Sequence, residues 1–468
     1  MSIKNLLLLL FVLIGTLAIG QPRRKLQQLQ PYHSSVHAQF GWSSAIANDF
    51  IALGSLTSNV EFGGTMYEEA GMINIYKHHP EYGWIFHQNI ISPRPEHFDF
   101  FGDQIVMKDD LLVIASPGYS QRRNQDHTHR TGAVFLYTLH DGYWTHIATI
   151  FEPIPNANAQ FGDCLSLSEN TLLISSYHHK ENGVLTQAMY AFDVSMPAKP
   201  SLIDTYTFPH SHTNRLHFAH WRNNIIASAS SREFEWMGLE SNRLILRSKQ
   251  TVRDSYISSL AINGEWISIG IHEDFYGFYS VPGNLMTDSI LILPPSAGEN
   301  YVLNTPESRA KHSISSAEFS ARAIPYIPWD TYQREKQSIG QVEVYRYASD
   351  TLLLFQTLTA SDGASDDWFG SRMALRDSTL LITSLGDAVG PEEAWSSRFA
   401  GAVYLFQYQD EKWIELEKIT LPDLKAWDKF GFSLGLSDHF GVIGIRLRDT
   451  AHRNTTYRDS GAGVVFRR

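Results

Sequence analysis

The dipeptide Phe-Gly returns along this chain at an almost fixed interval. It starts at residues 40, 101 and 161, which are 61 and 60 apart, and again at 369 and 430, which are 61 apart. Eleven residues before each Phe stands an apolar side chain: Leu29, Ile90, Ile150, Leu358 and Ile419. After each Phe-Gly comes a short strand pattern and a tight polar turn, as at Lys108-Asp109-Asp110 and Arg376-Asp377-Ser378. A β-rich run such as Leu111–Ile114 follows, then a longer loop. The next strand is opened by glycine, as in Gly132–Tyr137 and Gly401–Phe406, and the last often carries Trp: Trp84, Trp144, Trp413. Such a unit cannot bury both faces of its sheet alone, so neighbouring units must stack.

Four-stranded antiparallel units repeated in this way give an all-β β-propeller. The middle of the chain is degenerate. Between Phe161 and Phe369 we read starts near Leu216 and Tyr256, and a third near Ser313 with its strand at Val342–Tyr345. That makes eight blades, with seven as the alternative. The chain ends in a third strand, Val464–Phe466, with no fourth after it. Leu26–Gln30 has the spacing and composition of the missing one: Leu26-Gln27-Gln28-Leu29 matches Phe355-Gln356-Thr357-Leu358. Leu26–Gln30 is therefore expected to be the outer strand of the last blade, closing the ring and removing a bare edge.

Residues 1–20 read as a signal peptide: Lys4, the apolar run Leu6–Ile19, and small residues Ala18 and Gly20 before Gln21. Residues 21–468 would then be the secreted or surface-exposed propeller, with no membrane span in the mature chain. Cys164 is the one cysteine, so no internal disulfide supports the fold. It sits in an apolar strand and reads as a buried small side chain. A net charge of −11 argues against a nucleic-acid partner, which needs a basic face.

Phe-Gly, a hairpin, Ala115-Ser116-Pro117 and then Gly-Ala-Val-Tyr-Leu-Phe resemble the FG-GAP repeat of integrin α-subunit propellers and their bacterial secreted relatives. The resemblance implies extracellular recognition or adhesion without enzymatic activity. Relatives often carry a calcium loop between the first two strands. Here that turn is two or three residues long, too short to supply calcium's six to eight oxygens. The pattern thus looks like the calcium-free form, and no cofactor is expected.

In a propeller the loops from second to third strand, and from fourth strand to the next blade, share one face. These are the long loops here. They carry His127, His129, His178, His179, Trp368, Trp395 and Trp427, our candidate ligand-binding residues. Rings and imidazoles on a rigid scaffold suit an extracellular protein or glycan ligand. His127 and His129 lack the further ligands that a zinc signature needs, so no metal site is expected. Nucleophile-elbow, phosphate-loop and His-Glu-x-x-His motifs are missing. Two other readings remain open: a carbohydrate-active enzyme of propeller fold, and a structural part of a surface assembly.

Overall fold

A computed structural model describes residues 24–32, 35–123, 126–128, 130–181, 184–208, 216–229, 233–251, 255–263, 266–273, 340–348, 351–364, 366–389, 398–452 and 455–468. The signal-peptide reading lies outside these residues.

Seven four-stranded antiparallel sheets form the ring. Blade 1 comprises Phe40–Ala47, Phe50–Ser55, Met72–His79 and Gly83–Ile90. Blade 2 comprises Ile105–Lys108, Leu111–Ser116, Ala133–His140 and Tyr143–Phe151, and blade 3 Leu165–Ser168, Thr171–Glu181, Val184–Asp193 and Ser201–Phe208. Blade 4 runs His217–Trp221, Asn224–Ser228, Glu233–Glu240 and Arg243–Thr251. Blade 5 is Ser255–Asn263, Trp266–Glu273, Gln341–Ala348 and Thr351–Leu358; blade 6 is Phe369–Arg376, Thr379–Ser384, Ala402–Gln409 and Lys412–Ile419. Blade 7 takes Phe430–Leu436, Phe440–Ile445 and Ala462–Arg467 from the C-terminus, and its outer strand, Leu26–Leu29, from the N-terminus. Among the described residues no helix is long and apolar enough to cross a membrane.

Among the described residues the count is seven, the alternative to the main expectation of eight. The starts near Leu216 and Tyr256 are blades 4 and 5. Val342–Tyr345 belongs to no further blade among the described residues; it pairs with Ile267–Gly270 as part of the third strand of blade 5. Residues 274–339 fall between the second and third strands of that blade, and their length resembles that of a repeat. The Ser313 start lies outside the described residues.

Ring closure follows the sequence register. Leu26 pairs with Phe466, Gln27 with Val465, Gln28 with Val464 and Leu29 with Gly463. The apolar residues eleven before each Phe all point inward: Leu29, Ile90, Ile150, Leu358 and Ile419 are 2–4% exposed. Middle strands are buried on both faces, which is why Leu380–Ile382 and Ala402–Phe406 read as unbroken apolar runs. Cys164 stands just before the inner strand of blade 3 rather than in it, and is only half-buried, against the expected full burial, because it lines the central channel.

The repeat's glycine opening the third strand has a steric cause. In Gly71, Gly132, Gly340, Gly401 and Gly461, φ lies between 82° and 86°. A Cβ at each would sit 2.0–2.2 Å from the carbonyl oxygen of the next blade's Phe. The third strand and the next Phe-Gly thus touch backbone to backbone, and the Phe N–H donates across the gap, as Phe430 does to Ala400 at 2.7 Å. Serine and threonine hydroxyls fasten the inner ring. Ser43 donates to the Gly102 carbonyl (2.6 Å), Ser259 to Gly370 (2.6 Å), Thr383 to Gly431 (3.0 Å) and Ser433 to Gly41 (2.9 Å).

A second fastening repeats on the outer strands. The Gln356 amide donates to the Trp413 carbonyl (3.0 Å) and accepts from the Trp413 N–H (2.9 Å). Gln88 does the same to Trp144, and Gln27 to Trp84. An aromatic ring at the start of the preceding blade's second strand meets each Trp edge to face: Trp266 on Trp413, Phe50 on Trp144 and Phe440 on Trp84. These contacts tie each Trp to the blade before it.

Candidate recognition face and channel mouth

Two sets of loops form one face. The loops approaching four of the five Phe-Gly starts hydrogen-bond the second-to-third-strand loop of the preceding blade: Phe98 N–H to Glu68, Gln160 to Arg130, Trp427 to Arg398 and His37 to Arg458. The residues three and one before the Phe are held left-handed in all five clear repeats. The first set is His37, Phe98, Asn158, Asp366 and Trp427; the second is Gln39, Phe100, Gln160, Trp368 and Lys429. Asn tolerates this region well, whereas a bulky aromatic side chain does not.

Trp427 (φ 73°) and Trp368 (φ 57°) are both half-buried. Phe399, buried on the blade 6 loop, joins them. Its ring is 5.1 Å from Trp368 and 4.4 Å from Trp427. Arg398, beside it, pairs with Asp366 in a largely buried ion pair. Two of the candidate residues are therefore one aromatic ladder across blades 6 and 7. The bridging Phe399 was not foreseen; it stands just before Ala400-Gly401 and looks like core.

Three of the remaining candidates are placed on blades 2 and 3. His127 lies on Asp126–Thr128, a ribbon strand of blade 2 paired to Gln121–Arg123, with His127 opposite Arg122. His178 and His179 lie on the extended second strand of blade 3, where His179 is opposite Thr186. His129 and Trp395 lie outside the described residues. Blade 1 separates blades 2 and 3 from blade 7 on that side of the ring. Among the described residues no group of three or more His, Cys, Asp or Glu is placed to hold a metal ion.

The seven inner strands enclose a channel of about 520 Å³. At its loop-face mouth stand the residues two or three after each Phe of the repeat: Trp42, Asp103, Asp163, Arg372 and Phe432. Trp42 and Phe432 are half-buried with ring centroids 5.0 Å apart. The Arg446 guanidinium lies over both rings, 4.5 Å from Trp42 and 4.9 Å from Phe432, and Arg372 lies 5.4 Å from Phe432. Sequence reasoning passed over this cluster. The signal was available: aligned on the Phe, the second residue onward varies between Trp, Asp, Ser and Phe, whereas the Phe-Gly before it repeats.

The FG-GAP repeat family matches residues 354–406, which run from the outer strand of blade 5 through the third strand of blade 6. That span contains the Phe369-Gly370 start and the Gly401 strand whose contacts recur in four other blades. The chain is a β-propeller that carries an FG-GAP repeat at these residues. No curated protein sequence matches it significantly. Among solved structures it is similar to Sqt1 of Saccharomyces cerevisiae, at 9% identity and TM-score 0.45, covering 95% of this chain and 99% of that one. The computationally designed Ika8 protein gives the same values, and a chain of the mitotic checkpoint complex gives 10%, 0.46, 94% and 95%.

Two acidic groups of this propeller are tied up within the fold. Tyr404 donates to Asp362 (2.7 Å) and Asp387 (3.2 Å), and Lys418 donates to both (2.8 and 2.6 Å). Burial pushes the Asp387 carboxyl up; for Lys418 the two carboxylates outweigh burial and hold the ammonium above its ordinary range. The other group lies in the approach loops. Asp99, Asp367 and Asp428, each two before the Phe, accept the N–H of Glu96, Ala364 and Lys425 at 2.7, 2.7 and 3.0 Å.

Burial pushes Asp99 up to about 8. Its unfolded value is near 4. The folded chain then holds the proton more tightly, so stability is fully present below about pH 4 and falls as pH rises towards 8. From pH 5 to 8 the loss attributable to this group is expected to be a few kcal/mol. Urea unfolding across that range should show a falling slope that Asp99→Asn reduces. An unchanged slope in the variant would mean that Asp99 ionises normally in the fold.

Proposed function

We propose that this FG-GAP propeller is an exported, non-catalytic recognition module that binds an extracellular protein or glycan through its loop face. One observation carries the reading. Trp368 and Trp427, on the approach loops of adjacent blades, meet on Phe399 while remaining partly exposed. They occupy left-handed positions that the other clear repeats fill with His37, Phe98, Asn158 and Asp366, or with Gln39, Phe100, Gln160 and Lys429. A bulky residue there costs about 1–2 kcal/mol of backbone strain. Half-exposed aromatic rings on rigid loops are suited to ligand contact.

The test is an array of glycans and extracellular-matrix proteins probed with the mature chain. Trp368→Ala with Trp427→Asn should abolish the strongest signal while the melting temperature moves by a few degrees only. Relief of strain at Trp427 partly offsets the lost ring contact. The calcium-free part of the reading expects the same signal with chelator present. Retained binding by the double variant would remove the Trp ladder from the site. Release of a cleaved product would replace recognition by catalysis.

A further inference from the structure

We propose that the protein ligand of the loop face is a second copy of this chain. The ribbon at residues 60–67 of blade 1 lays Phe62 on the Trp427 end of the second copy's aromatic ladder, and the second copy returns the same contact. This rests on the loop-face reading and names its partner.

Among the described residues three two-stranded ribbons stand on this face, on blades 7, 1 and 2. The last paired residues at their tips are His452 with Thr455, Phe62 with Thr65, and Arg123 with Asp126. Blade 1 alone of the three places a hydrocarbon side chain there. Phe62 is 45% exposed and Met66, on the opposite face of the ribbon, is 52% exposed. The ribbon turns at Gly63-Gly64, both left-handed, as a tight two-residue hairpin requires. A Cβ added to either glycine would meet nothing within 4 Å, so the tip stands clear of its surroundings. The foot of the ribbon is fixed. The Glu69 N–H donates to Asn59 Oδ1 (3.0 Å), the Gly71 N–H to the Ser58 carbonyl (3.0 Å) and the Glu68 N–H to His97 Nδ1 (3.1 Å), and Val60 is buried. A rigid, exposed aromatic anchor loses little freedom when a partner covers it.

Charge chooses the occupant. Two chains of net charge −11 repel at a distance, so a second copy settles only where opposite charges meet locally. The Phe62 tip is flanked by exposed Glu61 and Glu68, and Trp427 follows exposed Lys425 by two residues in its loop. An acid-flanked apolar knob and a lysine-flanked aromatic surface therefore lie on one face of one chain. Ring order lets two copies exchange them. Blade 7 packs against blade 1 on one side and blade 6 on the other. A twofold axis lying in the face and crossing blade 7 exchanges blade 1 with blade 6. It sets the second-to-third-strand connection that carries Phe62 over the one that carries Phe399, whose ring is 4.4 Å from Trp427. The same axis makes the contact twice, which brings two small patches towards the area that a specific dimer buries.

Sedimentation velocity of the mature chain, from about 1 to 500 µM, should show a monomer–dimer equilibrium with a micromolar dissociation constant, as a small interface gives. Phe62→Ser and Trp427→Asn should each weaken it at least about tenfold. Glu61→Lys and Lys425→Glu should each weaken it about fivefold, and the two combined in one chain should restore it to within about threefold, because each copy then presents the exchanged charges. A variant weakened by misfolding would not be rescued in this way. Association lost in both ring variants and rescued by the exchange supports the proposal even where the glycan and matrix array stays silent. A chain that remains monomeric at the highest concentration overturns it; if the array signal still disappears in the Trp368→Ala, Trp427→Asn variant, the loop-face reading stands without it. Dimers that persist in Phe62→Ser, or a charge exchange without rescue, also overturn it. So does Phe62-dependent binding of the monomeric chain to phosphatidylcholine vesicles, which would make the ribbon a membrane contact.

Discussion

A chain beginning at Tyr32 is expected to lose about 5 kcal/mol of stability relative to one that retains the N-terminal strand. The removed residues hold the ring shut in several ways. Leu29 is 3% exposed and packs in a cluster with Phe40, Leu53 and Val465. Its burial contributes about 1.5–3 kcal/mol, and the half-buried Leu26 less. The two Gln27 hydrogen bonds to Trp84 add about 1 kcal/mol each. Arg24 pairs with Glu417 at 2.9 Å, but both side chains are partly exposed, so this adds little. The backbone ladder from Leu26 to Leu29 is lost as well. What remains is a blade whose outer edge, Ala462–Arg467, is bare, and bare edges pair with other chains. Urea unfolding and light scattering check both consequences. Gln27→Ala should reproduce a loss of about 1–2 kcal/mol without aggregation. Equal unfolding midpoints and no association in the shortened chain would show that blade 7 is stable with three strands.

The parts of the fold legible in the sequence were those where one physical demand recurs at one spacing. Phe-Gly, the apolar residue eleven before it and the glycine of the third strand are each set by contacts made afresh in every blade. Ring closure was legible for the same reason, since Gln27 repeats the position of Gln356. The blade number was not, because residues 274–339 interrupt blade 5 with a length close to a repeat. The role of Gln27, Gln88 and Gln356 was also hidden. Each reads as an ordinary outward polar residue, and its partner Trp lies 56 or 57 residues later, in the next blade. The candidate face was half legible. Trp368 and Trp427 could be placed on one side of the disc by loop logic, but Phe399 could not be distinguished from core. Arg446 reaches Trp42 across the closure of the ring, between residues at opposite ends of the sequence, which no local pattern announces.

Gly401→Ala should cost about 3–4 kcal/mol, and comparison with Gly63→Ala shows why. Both glycines have positive φ, +85° at Gly401 and +59° at Gly63. A Cβ at Gly63 meets nothing within 4 Å, so alanine there should cost only the left-handed backbone strain, about 1 kcal/mol. A Cβ at Gly401 would lie 2.2 Å from the Phe430 carbonyl oxygen and 2.7 Å from its nitrogen. Those are backbone atoms, and they cannot swing aside as a side chain can. Phe430 is itself fixed, fully buried and hydrogen-bonded to Ala400 at 2.7 Å. The added methyl group must therefore move blade 7 away from blade 6, opening the packed interface around Val403, Phe430 and Val464. Loss of packing across such an interface adds a few kcal/mol to the strain. The difference between the two substitutions, measured by chemical unfolding, isolates the contact between blades from the conformational preference of glycine. If both variants lose the same small amount, the repeat's glycine is kept for its backbone angle alone, and the close approach of Phe-Gly to the preceding blade is not what fixes the sequence.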